Sequence, residues 1–215
     1  MKEIDYYFWI NSDWAYLGAD RLESLAVRHG VRIHYKPVDL VQVYSRTGGI
    51  TLNQRSVQRK AYREVELKRW IRRLGIPLNI TPRYMCPNAD LASRFTIATD
   101  MLGLDVSALY KAILHAQWCQ DLDISEARVM HAVADSLGLP GQRIMERALT
   151  DEASRAYQQY TDEAVARGVF GSPAYVFKGE LFWGQDRLEF LEEAVAGQSA
   201  DRTKASDSEV KAIRT

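Results

Sequence analysis

Ser12 is the residue of this chain best placed to do chemistry. It follows the apolar run Tyr6-Tyr7-Phe8-Trp9-Ile10 and lies in the polar turn Asn11-Ser12-Asp13. Beyond it, from Trp14 to about His29, the apolar residues Trp14, Leu17, Leu22, Leu25 and Ala26 recur at helical spacing. The unpaired N–H groups at the start of such a helix face whatever sits over the turn. Ser12 therefore has two readings. It is a plain N-cap, since Ser, Asp and Asn are preferred there, or it is a hydroxyl that holds an anion such as a thiolate. Local pattern favours the cap.

The other reactive residue types give less. The two cysteines, Cys86 and Cys119, are far apart and form no C-x-x-C, so a disulfide scaffold is excluded. His29, His34, His115 and His131 show none of the paired spacings that hold a metal, and no metal is expected.

The elements that must position Ser12 can be read on both sides of it. After a helix stop at Gly30, residues Val31 to Val38 alternate apolar and polar and end near Pro37, which predicts a second strand. Strand, helix and strand make a right-handed βαβ unit with parallel strands. A polar loop is expected from about Ser45 to Asn53 around Gly48-Gly49. A long charged helix then runs from about Gln54 to Leu74, with Val57, Ala61, Val65, Leu67, Trp70, Ile71 and Leu74 as its buried stripe. Its basic run is interrupted by Glu64 and Glu66, which reads as a solvated face rather than a nucleic-acid patch.

After the proline-punctuated loop Thr81 to Asn88, helices are predicted near 88–102, 105–118, 125–137, 140–149 and 150–167. The pattern then reverts to strands. Ala174-Tyr175-Val176-Phe177 and Leu181-Phe182-Trp183-Gly184 flank a tight turn and predict an antiparallel hairpin. A last amphipathic helix opens at Gln185-Asp186-Arg187. The chain is thus an α/β protein, βαβ plus ββα, interrupted by a large all-helical insertion. Its expected units are a discontinuous thioredoxin-like domain (1–45 and 168–197), a helical insertion domain (46–167) and a flexible C-terminal tail (198–215).

Composition excludes several classes. Among 215 residues, 28 basic and 28 acidic side chains cancel, which gives no global attraction to nucleic acid or to an anionic membrane. The N-terminal apolar run is short and contains Asp5, so neither a signal peptide nor a membrane span is expected and the cytoplasm is the expected compartment.

Three stretches resemble one family: Tyr7 to Leu17; Asn53 with the long helix ending at Trp70 and Gly75-Ile76-Pro77-Leu78; and Val169-Phe170-Gly171-Ser172-Pro173 with Trp183-Gly184-Gln185-Asp186-Arg187-Leu188. Together they span residues 4 to about 195. The chain resembles the glutathione-dependent 2-hydroxychromene-2-carboxylate isomerases, bacterial relatives of kappa-class glutathione transferases and DsbA-type oxidoreductases. The resemblance implies glutathione as cofactor, a small aromatic substrate and a homodimer.

It also implies roles. Ser12 takes the place of the nucleophilic cysteine and faces the glutathione sulfur, where its hydrogen bond and the helix dipole favour thiolate. Asn53 binds the peptide part of glutathione. Ser172, before a cis-proline at Pro173, pairs its backbone with the cysteinyl residue as a short added strand would. Gln185 and Asp186 hold the γ-glutamyl end, and Trp183 and Gly184 belong to the same glutathione-binding stretch. Asn53 and Asp186 also have a bland reading as caps of the helices they precede.

The chain departs from the family pattern at three positions. Asp13 replaces the usual proline and is expected to point outward or to cap the helix through its N–H groups. Gln54 and Tyr44 stand at substrate-side positions where the family often has basic residues, while Tyr84 matches a substrate-side tyrosine. Arg46, Arg55 and Arg83 are candidates for the missing charge. Two other readings of the same site are a kappa-like transferase that conjugates glutathione to another electrophile and a non-catalytic thiol-binding module. A DsbA-type disulfide oxidant is disfavoured, because Ser12-Asp13-Trp14-Ala15 contains no cysteine.

Overall fold

A computed structural model of the chain describes residues 1–197; the tail expected over 198–215 lies outside the described residues. The elements run β1 (Lys2–Phe8), α1 (Asp13–His29), β2 (Val31–Pro37), α2 (Leu40–Thr47), α3 (Val57–Leu74), α4 (Asp90–Met101), α5 (Val106–Gln120), α6 (Ala127–Ser136), α7 (Gly141–Ala148), α8 (Asp151–Ala166), β3 (Ala174–Phe177), β4 (Glu180–Trp183) and α9 (Leu188–Ala196). They build a four-stranded sheet of order β2-β1-β3-β4. β1 is parallel to β2, with Tyr6 opposite Tyr35, and antiparallel to β3, with Tyr6 also opposite Tyr175. The βαβ and ββα units expected from the sequence join where β1 pairs with β3.

Alternation along β1 sends its side chains to two cores. Ile4, Tyr6 and Phe8 enter one cluster that also takes Leu22 of α1, Phe95 of α4, Trp118 of α5 and Met130 of α6. The helices of the 46–167 block thus share a core with the sheet. In it the Tyr6 ring stacks on Tyr175, and its hydroxyl lies 2.5 Å from that of Tyr110. Burial of each such large side chain stabilises the fold by about 2 kcal/mol. Tyr7 points the other way, into a second cluster with Val43, Ala164 and Val176.

Three expectations need correction. The short helix α2 occupies part of the stretch expected to be loop. It is capped by Asp39, whose carboxylate accepts the N–H groups of Val41 and Gln42, and it ends at Gly48 in the left-handed region (φ 82°). Its last residues, Ser45, Arg46 and Thr47, are polar and run into Gly48-Gly49, which reads as loop in sequence. The apolar stripe of α3 is largely not buried: Leu67 alone of the helix is buried, while Val57 is 77% and Val65 42% exposed. Contacts of α3 with α1 include the Trp70 ring, 5.4 Å from the Arg21 guanidinium, and the pairing of Arg63 with Asp13. Finally, Gln185–Arg187 forms a 3-10 turn, and the α-helix begins only at Leu188.

Among the described residues no helix is long and apolar enough to cross a membrane.

Candidate active site

The pairing of β1 with β2 ends at Phe8 opposite Pro37, and the chain then turns sharply, with the Ser12 N–H donating to the Trp9 carbonyl at 2.9 Å. Ser12 has extended backbone angles, and its Oγ accepts the N–H of Ala15 at 3.2 Å. It is therefore the N-cap of α1. Capping uses a lone pair and leaves the O–H free to donate. The two readings of Ser12 are compatible: one hydroxyl closes the helix and presents a proton to an anion lying over the helix start. Ser12 is 5% exposed, so such a bond would be little weakened by water.

Across from it, the Ser172–Pro173 peptide bond is cis, as the resemblance implied. The Ser172 hydroxyl accepts the N–H of Trp9 at 2.8 Å. The ladder between β1 and β3 starts only at Ala174, so the backbone of Ser172 stands outside it.

Ser12 and Ser172 open on one cavity of about 1130 Å3, lined also by Asn53, Gln54 and Tyr44. Four further predicted positions, Trp183, Gly184, Gln185 and Asp186, are not in its wall, nor are Pro173 and Tyr84. The Gln185 side chain is buried against α1, where Arg21 donates both to its amide oxygen and, at 2.9 Å, to its backbone carbonyl. Asp186 is half-exposed and pairs with Arg187 at 2.8 Å, without capping the last helix. Trp183 is half-exposed and packs against Phe170, with ring centroids 4.7 Å apart. The Tyr84 ring lies under the Arg83 guanidinium. Asn53 is not the cap of α3 either: Ser56 is, through the N–H of Arg59. The Asn53 amide oxygen accepts from the Thr51 hydroxyl, and its carbonyl accepts from Lys60.

Of the two placements expected of Asp13, pointing outward or capping α1 through its N–H groups, the structure shows the second. Asp13 is 6% exposed; one carboxylate oxygen accepts the Trp14 N–H at 2.8 Å and the other pairs with the guanidinium of Arg63. Burial pushes its pKa up, and the positive charges of Arg63 and Arg55 oppose that shift. Of the three candidate arginines, Arg55 lines the cavity and donates to the Tyr44 hydroxyl at 3.4 Å. Arg46 is paired with Asp162, and Arg83 is outside the wall.

Arg63 and Lys60 were hidden in sequence by the charge run of α3. Cys86 and Trp118 also line the cavity. The Cys86 thiol is pushed up to about 11, first by burial and then by the negative charge of Asp13. Asn11 is 2% exposed and ties the end of β1 to the Pro87 carbonyl at 2.8 Å, while its amide oxygen has no protein partner. The Trp118 ring N–H is also without one. Ser12, Asn53 and Ser172 all line this one cavity, whereas Gln185 lies against α1 in the 3-10 turn.

A family model described as DSBA-like thioredoxin domain matches residues 3–196. A curated 2-hydroxychromene-2-carboxylate isomerase of Pseudomonas sp. (strain C18) is 30% identical over 195 residues, covering 90% of either chain. One of Sphingobium xenophagum is 29% identical over 192 residues, 89% of this chain and 96% of its own. Among solved structures, a selenomethionine 2-hydroxychromene-2-carboxylate isomerase superposes with a TM-score of 0.80 at 26% identity, covering 94% of this chain and 98% of that one.

Proposed function

We propose a function on the ground that this chain belongs to the DSBA-like thioredoxin domain family and, by its relatives, to the 2-hydroxychromene-2-carboxylate isomerases: it is a glutathione-dependent isomerase of a 2-hydroxychromene-2-carboxylate-type intermediate of aromatic degradation. The product is the trans-o-hydroxybenzylidenepyruvate. The observation that carries the reading is the Ser12 hydroxyl, with its proton free, at the N-terminus of α1 in the wall of a cavity large enough for two small molecules.

When bound, glutathione supplies a thiol nucleophile that adds reversibly to a conjugated double bond, which lets that bond rotate before the thiol leaves. The chain's own residues do the rest. Ser12 donates its hydroxyl proton toward the sulfur position, and the α1 dipole adds positive potential there, both favouring the charged form of a thiol. Ser172 offers backbone groups outside the sheet ladder to an extended peptide. Asn53 lies in the wall where the peptide part would lie. Trp9, Trp14 and Trp118 supply aromatic surface for a flat ring. Tyr44 and Arg55 place a polar, cationic pair where negative charge collects on the oxygen end of the substrate.

The test is turnover of 2-hydroxychromene-2-carboxylate. Conversion that requires glutathione and is lost in Ser12→Ala supports the reading. Absence of turnover at every glutathione concentration rejects it. Product mass separates a transferase, which adds glutathione, from an isomerase, which leaves the mass unchanged.

A further inference from the structure

We infer that Arg63, held in the cavity wall by Asp13, is a receptor for a carboxylate of the reacting pair, with Asp13 as its positioning residue. The inference deepens the functional reading above and rests on it.

Asp13 is the first residue of α1 and follows Ser12 directly. With one oxygen tied to the Trp14 N–H, its carboxylate has a fixed direction, and the second oxygen aims at Arg63 from α3. Both side chains are nearly buried, at 8% for Asp13 and 10% for Arg63, and both line the cavity beside Ser12. A guanidinium carries five N–H donors in a rigid fork. Among the described residues Asp13 accepts from one nitrogen of Arg63, and no other group accepts from the rest. None of the Arg63 nitrogens is among the sealed, unpartnered polar atoms, so those that Asp13 leaves free reach solvent, and Arg63 is part of the cavity lining. The free edge of the fork matches the two oxygens of a carboxylate.

The lining carries three cations, Arg55, Lys60 and Arg63, and three carboxylates, Asp13, Asp39 and Asp90, so an anionic guest is drawn by the local field at Arg63 and not by the net charge of the cavity. Arg55 and Lys60 stand beside Arg63 on the same side, tied by neutral acceptors: the Tyr44 hydroxyl and Ile50 carbonyl for Arg55, and the Asn53 carbonyl for Lys60. Among the described residues one carboxylate pairs with one of these three cations, Asp13 with Arg63. Asp39, also in the lining, is committed to capping α2, and Asp90 opens α4. The pair also accounts for an acidic residue next to a site meant for a thiolate. Arg63 offsets the charge of Asp13 while Asp13 orients Arg63.

Two guests share this chemistry, the carboxylate of an aromatic substrate and the glycyl carboxylate of glutathione. Titrations of the tryptophan fluorescence of the intact protein separate them, because Trp9, Trp14 and Trp118 line the cavity. The probes are trans-cinnamate, its methyl ester and glutathione, applied to wild type, Arg63→Lys and Arg63→Met. Wild type is expected to bind cinnamate about tenfold more tightly than the ester, Arg63→Met to lose that preference, and Arg63→Lys, a point charge without the fork, to keep part of it. A glutathione affinity that stays constant assigns the receptor to the aromatic acid. A loss of about tenfold on glutathione alone assigns it to the tripeptide. Equal affinity of wild type for acid and ester, with glutathione binding unmoved by Arg63→Met, overturns the inference. Asp13→Asn isolates positioning. It adds positive charge to the wall, so charge alone would tighten cinnamate binding, whereas loss of orientation weakens it. Weakening is expected, and tightening overturns the positioning role. None of these readouts needs turnover, so they stay interpretable if the isomerase reading fails.

Discussion

The backbone N–H of Trp9 donates to the hydroxyl of Ser172 across 163 positions of sequence, at 2.8 Å. This bond ties the end of β1, which delivers Ser12, to the loop that carries Pro173. The two walls of the cavity are therefore set by one side chain.

Ser172→Ala removes the acceptor and leaves a poorly solvated N–H, at a cost of about 1 to 3 kcal/mol. Ser172→Thr keeps the hydroxyl and should keep most of the stability. Denaturant melts of the two variants check this. Equal stability of Ser172→Ala and wild type would show that water replaces the bond without loss. Under the proposed function, Ser172→Ala should also weaken glutathione binding, since the loop that presents the backbone loses its tether.

Ser12→Asp separates the two uses of one hydroxyl. Aspartate caps helices as well as serine, and its charge suits a helix N-terminus, so thermal stability should stay within about 1 kcal/mol of wild type. A carboxylate cannot donate a proton to a thiolate and repels it, so glutathione-dependent turnover should fall by at least about a hundredfold. Ser12→Ala should lose both, with about 1 kcal/mol of stability from the missing cap. If Ser12→Asp retains turnover, the hydroxyl has only the capping role.

Gly18→Ala tests how tightly the 3-10 turn at Gln185 is pressed on α1. A methyl at Gly18 would stand 2.9 Å from the Gln185 Cβ and 3.1 Å from the Tyr175 hydroxyl. The helix itself gains up to about 1 kcal/mol from alanine. Overpacking against a buried turn costs about 1 to 3 kcal/mol, so the net effect should be a loss of stability. A stabilised Gly18→Ala, measured by calorimetry, would mean that this contact is loose and that Gln185 is free to move.

What was legible in the sequence follows from the range of each interaction. β3 and β4 could be placed because two short apolar runs flank the turn at Lys178-Gly179, and α4 to α8 because breaks at Gly103, Asp121–Asp123, Gly138 and Pro140-Gly141 bracket them. Ser12 and Ser172-Pro173 stood out because turn chemistry is local. The Asp13–Arg63 pair was not legible: its partners are 50 positions apart, and Arg63 looks like any other cation of α3. That Gln185 and Asp186 stand outside the cavity lining was not legible for the same reason. A motif shows which residues adjoin in sequence, while Arg21 decides which way Gln185 faces. The burial of α3 was misjudged because its apolar period is real but meets no facing core beyond Leu67.

Cys86 gives a reaction-rate reading of the charge beside Ser12. Its thiol is pushed up to about 11 by burial and by the carboxylate of Asp13, with Arg63 pulling the other way. The thiolate is the species that reacts, so near neutral pH alkylation by iodoacetamide should be on the order of a hundredfold slower than for a free cysteine. The rate should climb about tenfold per pH unit across the alkaline range without levelling off below about pH 10. Asp13→Asn removes the negative charge and leaves Arg63 unpaired. Both changes stabilise the thiolate, so the Cys86 pKa should fall and its alkylation near neutral pH should accelerate. Peptide mapping by mass spectrometry distinguishes Cys86 from Cys119. A plateau below about pH 9 in wild type would show that the surroundings of Cys86 do not desolvate its thiol, and a rate unchanged by Asp13→Asn would place Cys86 outside the field of Asp13.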